Sequence, residues 1–386
     1  MPRSYPLILV ALMSAGGWYF TKGPGKDVKF SDVLQRVTQG QAGQPSGLGQ
    51  FGQYPAQGNY ASAGQPGNNY SGYTAPPTNY QAYSQPAGSV PATYTSQSPP
   101  AGPPPPSPMF GGPAIRIASF NIQVFGDAKA EKKYVMATLG MIIRNFDVVA
   151  IQEIRTQDEY FIDNFLRTYV NLEGKTYDRV VGPRLGSTVS KEQYAFIYNT
   201  ATIEVNPRSI YTVNDPDRLL ERDPLVAMFR VRGPPPDQAF TFVLVDVHTR
   251  PQPDKAKEEC NTLAQVYQVV RRAAGGEDDI IMLGDFNVDD KHLGELTQLD
   301  GVRPIVRNAF TNTKQNNQED NIVIHAPSTA EFSGRWGVFD VQRIYNLRPE
   351  QALEVSDHYP VWAEFSAYES ATPGRVANRG GTAVVQ

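Results

Sequence analysis

The sequence predicts one large α/β domain carried behind a long uncharged segment, and two observations predict it. Short apolar runs of strand length, such as Val148-Val149-Ala150-Ile151 and Ile280-Ile281-Met282-Leu283, alternate with amphipathic stretches of helical period. Charge is also confined: between Arg36 and Arg116 there is no Lys, Arg, Asp or Glu. A stretch so rich in Gln, Gly, Pro, Ser, Ala, Asn and Tyr cannot bury enough apolar surface to offset the entropy of ordering it. The folded part is therefore expected over residues 114–367 of the 386, enough for a sizeable single core.

Taken in order, residues 1–22 open with Arg3 and an uncharged run from Tyr5 to Thr21. A positive start before an apolar core suits a signal peptide or signal anchor. The run is shorter than the roughly 20 residues of a full span. Export is the expectation, to a secreted, periplasmic or membrane-anchored form, with residues 5–21 as the tether. A short polar segment occupies 23–39, and 40–113 reads as a low-complexity linker with Asn59-Tyr60, Asn69-Tyr70 and Asn79-Tyr80 evenly spaced. Pro103 to Pro106 stiffen its end into extended polyproline form. The tail, 368–386, is expected to be disordered.

The formal charge is −4, and residues 1–112 hold a surplus of cations, so the folded part is more acidic than the whole. Such a domain is not a non-specific polyanion binder, although a cation and a few arginines can make one site locally positive. A single cysteine, Cys260, excludes an intrachain disulfide.

Within the folded part, polar residues recur at the ends of apolar strands. Ile115 to Phe120 alternates and ends in Asn121; a helix is expected over Glu131–Asn145. The buried strand Asp147–Gln152 ends in Glu153-Ile154-Arg155, where a salt bridge between the two charged residues is one reading and a functional carboxylate the other. Lys191-Glu192-Gln193 leads into the strand Tyr194–Tyr198, and Arg222-Asp223-Pro224 into Leu225–Val231. Phe240–Val247 carries His248 at its mouth, Ala256–Ala273 reads as a helix, and Ile280–Gly284 ends in Asp285-Phe286-Asn287. Asp320 starts a further strand, and Ser356-Asp357-His358-Tyr359-Pro360 introduces the last. His292 and His325 have no such setting and read as ordinary histidines.

Ser119-Phe120-Asn121-Ile122, Ile151-Gln152-Glu153-Ile154-Arg155, Lys191-Glu192-Gln193-Tyr194, His248-Thr249, Gly284-Asp285-Phe286-Asn287 and Ser356-Asp357-His358-Tyr359-Pro360, in this order, resemble the endonuclease/exonuclease/phosphatase superfamily, most closely its deoxyribonuclease I branch. The resemblance spans Ile115 to Phe365 and implies a four-layer α/β/β/α sandwich of two mostly antiparallel sheets. It implies a metal-dependent endonuclease that acts on DNA as its partner, with Mg²⁺ or Mn²⁺ held by Asn121, Glu153 and Asp357. His358, oriented by Asp320, would be the base and His248, oriented by Glu192, the acid, with those roles open to exchange. Asp285 and Asn287 would hold the attacking water and the phosphate, and Arg155 and Arg222 would contact the DNA backbone.

Thr311 and Thr313 fall where the family binds a structural Ca²⁺, and the enzyme is expected to be monomeric. Ser190 and Asn321 depart from the branch at positions that contact duplex DNA, which leaves substrate less fixed than reaction type. The segment 331–341, with Trp336, has no counterpart and is read as a substrate-facing loop. The alternatives are a sphingomyelinase-like or inositol-phosphate phosphodiesterase, and a non-catalytic surface interaction protein whose active part is the Tyr/Gln-rich segment.

Overall fold

A computed structural model describes residues 113–172, 174–186 and 191–369. The expected export signal or anchor, the polar segment, the linker up to residue 112, Ser190 and the tail from residue 370 lie outside the described residues.

Strands β1 (Ala114–Phe125), β2 (Val148–Ile154), β3 (Tyr177–Val181) and β4 (Gln193–Asn199) open the first sheet. The second sheet takes β5 (Ile203–Val205), β6 (Tyr211–Thr212), β7 (Leu225–Val231), β8 (Thr241–His248), β9 (Ile280–Asp285), β10 (Val302–Pro304) and β11 (Asp320–His325). The chain then returns to the first sheet with β12 (Phe332–Val338) and β13 (Val361–Ser366). The strand orders are β12-β13-β1-β2-β4-β3 and β10-β11-β9-β8-β7-β5, with β6 also paired to β7. Both sheets are mostly antiparallel, and each contains one parallel pair, β1 with β2 and β8 with β9.

Parallel neighbours need a crossover, and in each case it is a helix. Lys133–Ile143 joins β1 to β2 and buries Val135, Met136, Leu139, Ile142 and Ile143 at helical spacing. These side chains pack with Ala118, Phe120, Val149 and Ile151 from the outer face of the first sheet. Pro253–Ala273 joins β8 to β9, with Pro253 in the first turn, where a missing N–H does no harm, and Arg271 and Arg272 in the last. Its buried stripe, including Ala256, Leu263, Ala264, Tyr267 and Val270, packs on Val245, Val247 and Met282. Cys260 lies in that stripe, where burial pushes its thiol up to about 12, so it behaves as a small apolar side chain.

Between the sheets lies the third apolar layer, with Ile117, Ala150, Phe196, Phe229, Leu244, Leu283, Ile322, Ala363 and Phe365. Alternate residues of one strand thus serve two layers: Ile117 faces the other sheet while Ala118 faces the helix. The expected four-layer α/β/β/α sandwich is the observed one.

The segment read as a substrate-facing loop is instead an edge strand. Phe332–Val338 pairs with β13, and Trp336 and Val338 pack on the inter-sheet core. A register break between Phe332 and Trp336 hides the strand period in the sequence.

Parallel pairs end on the same side, which is what delivers the functional residues together. Asn121 on β1 lies beside Gln152, one residue before Glu153, and His248 pairs in register with Asp285. On the other flank of β9, Asp320 pairs with Asp285. Gly284 makes this closeness possible. Its φ is +151°, and a Cβ there would stand 1.9 Å from the Val247 carbonyl oxygen. Gly284→Ala is therefore expected to cost about 3 kcal/mol, read as a lower urea midpoint with an unchanged slope.

Candidate active site

The site lies where the ends of β1, β2, β8 and β9 meet the starts of β11 and β13. Asp285 stands at its centre, 1% exposed. Its Oδ2 accepts the Asn121 side-chain N–H at 2.9 Å, and its Oδ1 accepts the Asn287 backbone N–H at 2.9 Å. Two imidazoles flank the same Oδ2: His248 Nε2 at 3.5 Å and His358 Nε2 at 3.7 Å. Each imidazole is held from behind through Nδ1. Glu192 Oε1 lies 2.6 Å from His248 Nδ1, and Asp320 Oδ2 lies 2.9 Å from His358 Nδ1. Two histidine–carboxylate dyads therefore face one another across a single carboxylate.

The dyads differ in their surroundings. Glu192 is 1% exposed, and burial alone would raise its carboxyl; His248, Arg222 and Arg155 outweigh that and hold it below the usual value. Burial would likewise lower His358, but Asp320, Asp285 and Asp357 raise it well above the usual imidazole value. The carboxylates around His358 thus favour its protonated form.

The two arginines also differ. Arg222 reaches Glu192 Oε1 with Nε at 2.6 Å and donates through Nη1 to the His248 and Thr249 carbonyls at 3.2 and 3.4 Å. Arg155 lies between two acids, with Nη2 3.1 Å from Glu153 Oε2 and 3.4 Å from Glu192 Oε2. The salt-bridge reading of Glu153 and Arg155 is therefore the one the structure contains. Asn287 donates its side-chain N–H to the Thr249 carbonyl at 3.1 Å.

Glu153, Asn121 and Asp357 gather along the end of β1. The Val124 N–H donates to Glu153 Oε2 at 2.9 Å, and the Gln123 side chain donates to Asp357 Oδ2 at 2.7 Å. Among the described residues, Asn121 Oδ1 and Asp357 Oδ1 are both buried with no hydrogen-bond donor. Burial, together with Glu153 and Asp285, raises the Asp357 carboxyl against the pull of His358. Unsatisfied hard oxygens in an anionic pocket are what a divalent cation would complete, so these residues fit such an ion.

All eleven residues singled out from the sequence lie in this one region. Others there were not. Ser356 fixes the turn before His358: its Oγ donates to the Asn121 carbonyl at 2.7 Å and accepts the N–H groups of Gln123 and His358. Its place just before Asp357-His358 was the available signal. Beneath the site, the Gln152 side chain donates to Asp246 Oδ1 at 2.6 Å, linking the two sheets. Burial pushes the Asp246 carboxyl well up against the pull of the Gln152 hydrogen bond. A lone Asp within the apolar run Phe240–Val247 was its only trace.

Thr311 and Thr313, where a Ca²⁺ was expected, use their hydroxyls within the protein. Thr313 Oγ1 donates to the Ser356 carbonyl at 2.7 Å, and Thr311 Oγ1 accepts the N–H groups of Glu319 and Asp320. They clamp both ends of the His358 dyad. Asn321 turns inward, donating to the Val306 carbonyl at 2.9 Å and accepting the Val306 N–H. Neither His292, exposed and paired with Asp289, nor His325, beside Ser328, belongs to the site.

Three residues at the strand ends hold left-handed backbone without being glycine: Val124 (φ 48°), Glu153 (φ 65°) and Asn287 (φ 50°). Such conformations cost of order 1–3 kcal/mol each and persist only where the surroundings impose them. Beside the site, a cavity of about 680 Å³ is lined in part by Thr156, Gln157, Arg179, Arg184 and Gln193.

Residues 118–358 match the Endonuclease/Exonuclease/phosphatase family. The chain is 34% identical over 272 residues to deoxyribonuclease-1-like 1 of Sus scrofa, spanning 66% of this chain and 82% of that protein. It is 31% identical over 284 residues to deoxyribonuclease gamma of Rattus norvegicus, spanning 69% and 89%. Among solved structures, TDP2 from C. elegans overlays with a TM-score of 0.46 at 17% identity, covering 66% of this chain and 75% of that one. This chain belongs to the endonuclease/exonuclease/phosphatase family.

Proposed function

We propose that the domain is a metal-dependent endonuclease that hydrolyses DNA phosphodiesters with little sequence preference. The observation that carries the reading is the facing pair of dyads, His248–Glu192 and His358–Asp320, both directed at Asp285. Hydrolysis of a phosphodiester needs one group to take a proton from water and another to give one to the leaving oxygen, and two opposed imidazoles are suited to that division. The similarity to proteins named as deoxyribonucleases supports DNA as the substrate.

In this reading His358 Nε2 takes the proton of the attacking water, and Asp320 stabilises the imidazolium that results. His248, protonated on both nitrogens, gives its Nε2 proton to the leaving 3′ oxygen, and Glu192 holds the ring through Nδ1. Asp285 and Asn287 orient the water and the phosphate between them. Asn121, Glu153 and Asp357 would hold Mg²⁺ or Mn²⁺, which supplies charge neutralisation on the phosphoryl oxygens. Arg155, whose side chain is 28% exposed, is the guanidinium open to a phosphate. Arg222, at 10%, is committed to Glu192 and the end of β8, and acts by positioning that carboxylate.

Nicking of supercoiled plasmid by the full chain tests the reading. Turnover is expected in Mg²⁺, none in excess chelator, and a loss of about 10²–10⁴-fold in both His248→Ala and His358→Ala with far-UV spectra unchanged. A folded, unmutated chain that leaves the plasmid intact under these conditions would overturn it.

The carboxylates that raise His358 give a second expectation. A base must first lose its proton, so kcat/KM should climb as pH rises past the ordinary imidazole value of 6.5 towards the raised one. Asp320→Asn removes the largest stabiliser of that proton, so the rising limb should move to lower pH while the maximum falls. A limb unmoved by Asp320→Asn would separate His358 from the base role.

A further inference from the structure

Five carboxylates, Asp278 among them, gather at the end of the sandwich opposite the active site. Glu277 and Asp279 precede β9, Glu331 precedes β12, and Glu369 follows β13. One oxygen from each of Asp279, Glu331 and Glu369 lies within 4.8 Å of the other two, and Asp279 is likewise grouped with Glu277 and Asp278. The opposite end of β9 carries Asp285, so the strand itself, about 20 Å long, separates this cluster from the active site.

Asp279 is what distinguishes the cluster from an ordinary acidic surface. The residue is 0% exposed, and among the described residues neither of its carboxylate oxygens has a hydrogen-bond partner. A sealed carboxylate without a donor is costly whether charged or neutral, and four further acids nearby increase the cost. Burial, with Glu331, Glu277 and Glu369, pushes Asp279 up to about 10; burial, with Glu277 and Glu331, pushes Glu369 up to about 8.

Among the described residues neither Asp279 oxygen accepts a hydrogen bond, so no donor of the protein offsets it. Oxygens a few ångströms apart, within 4.8 Å, do suit ligands on different sides of an ion bound at about 2.3–2.6 Å to each. The Thr241 hydroxyl adds a neutral oxygen, 2.5 Å from Glu277 Oε2 and 3.0 Å from Glu369 Oε1.

We propose that Glu277, Asp279, Glu331 and Glu369 form a structural Ca²⁺ site that fastens the two sheets at the end remote from catalysis. The ligands come from both sheets: Glu277 and Asp279 lead into β9, while Glu331 and Glu369 flank the paired strands β12 and β13. Ca²⁺ fits better than Mg²⁺, because carboxylates set at the irregular starts and ends of separate strands match its flexible shell of six to eight oxygens. The site is independent of the proposed nuclease activity.

The test is thermal unfolding of the full chain, stripped with chelator and then titrated with CaCl₂, with calorimetry to count sites. At Ca²⁺ a hundredfold above its dissociation constant, Tm should rise by about 5 °C. Glu153→Gln, at the other end of the molecule, should keep that rise. Asp279→Asn and Glu369→Gln should each lose it, and calorimetry should show one Ca²⁺ fewer bound. Because these two substitutions remove an acid from a crowded cluster, the stripped variants should melt no lower than the stripped unmutated chain. The proposal is overturned if Ca²⁺ leaves the Tm of the unmutated chain unmoved, or if Asp279→Asn and Glu369→Gln rise as far as it does.

Discussion

The arrangement of the site depends on one buried anion, Asp285, and on the need to surround it. A carboxylate at 1% exposure must be met by donors or opposite charge. The protein meets that need with two amides, from Asn121 and Asn287, and two imidazoles, from His248 and His358. Each imidazole then requires its own carboxylate, and Glu192 requires Arg222 and Arg155. The chain of partners spreads from the centre until it reaches solvent at Arg155. Removing any one member would leave a buried charge uncompensated, which explains why so many polar side chains share so small a volume.

The scaffold answers to the same constraint. Each sheet contains one parallel pair, with its crossover helix on the outer face. Those pairs bring Asn121 with Glu153, and His248 with Asp285, to one end. Antiparallel β11 and β13 enter from the opposite direction and bring Asp320 and His358 at their starts. The inter-sheet layer is almost wholly apolar, with aromatic contacts such as Phe196–Phe229 and Phe240–Phe365. The polar pair Gln152–Asp246 beneath the site is its notable interruption.

Most of this was legible in the chain, for physical reasons. Strands buried on both faces are unbroken apolar runs, so β2, β8 and β9 announce themselves, and a polar residue ending such a run is conspicuous. That is how Glu153, His248 and Asp285 could be picked out. Edge strands carry no such mark: β12 is half-exposed and interrupted by a register break, and it read as a loop. Partners set by long-range packing were equally hidden. Nothing local shows that Ser356 would bind the Asn121 carbonyl, that Arg222 would be spent on Glu192, or that Thr311 and Thr313 would brace the His358 turn.

The left-handed backbone at Val124, Glu153 and Asn287 has a bearing on how such a site could be moved or redesigned. A β-branched residue at Val124 cannot relax there without turning the N–H that holds Glu153, so local comfort and catalytic geometry are opposed at that position. The energy stored at the three positions is comparable with much of the net stability of a small domain, and only a large core can absorb it. Grafting the same side chains onto a smaller or more regular scaffold would reproduce their identities and lose their aim. Stabilising variants chosen by backbone preference alone would be drawn to these three positions first, and would trade activity for robustness there.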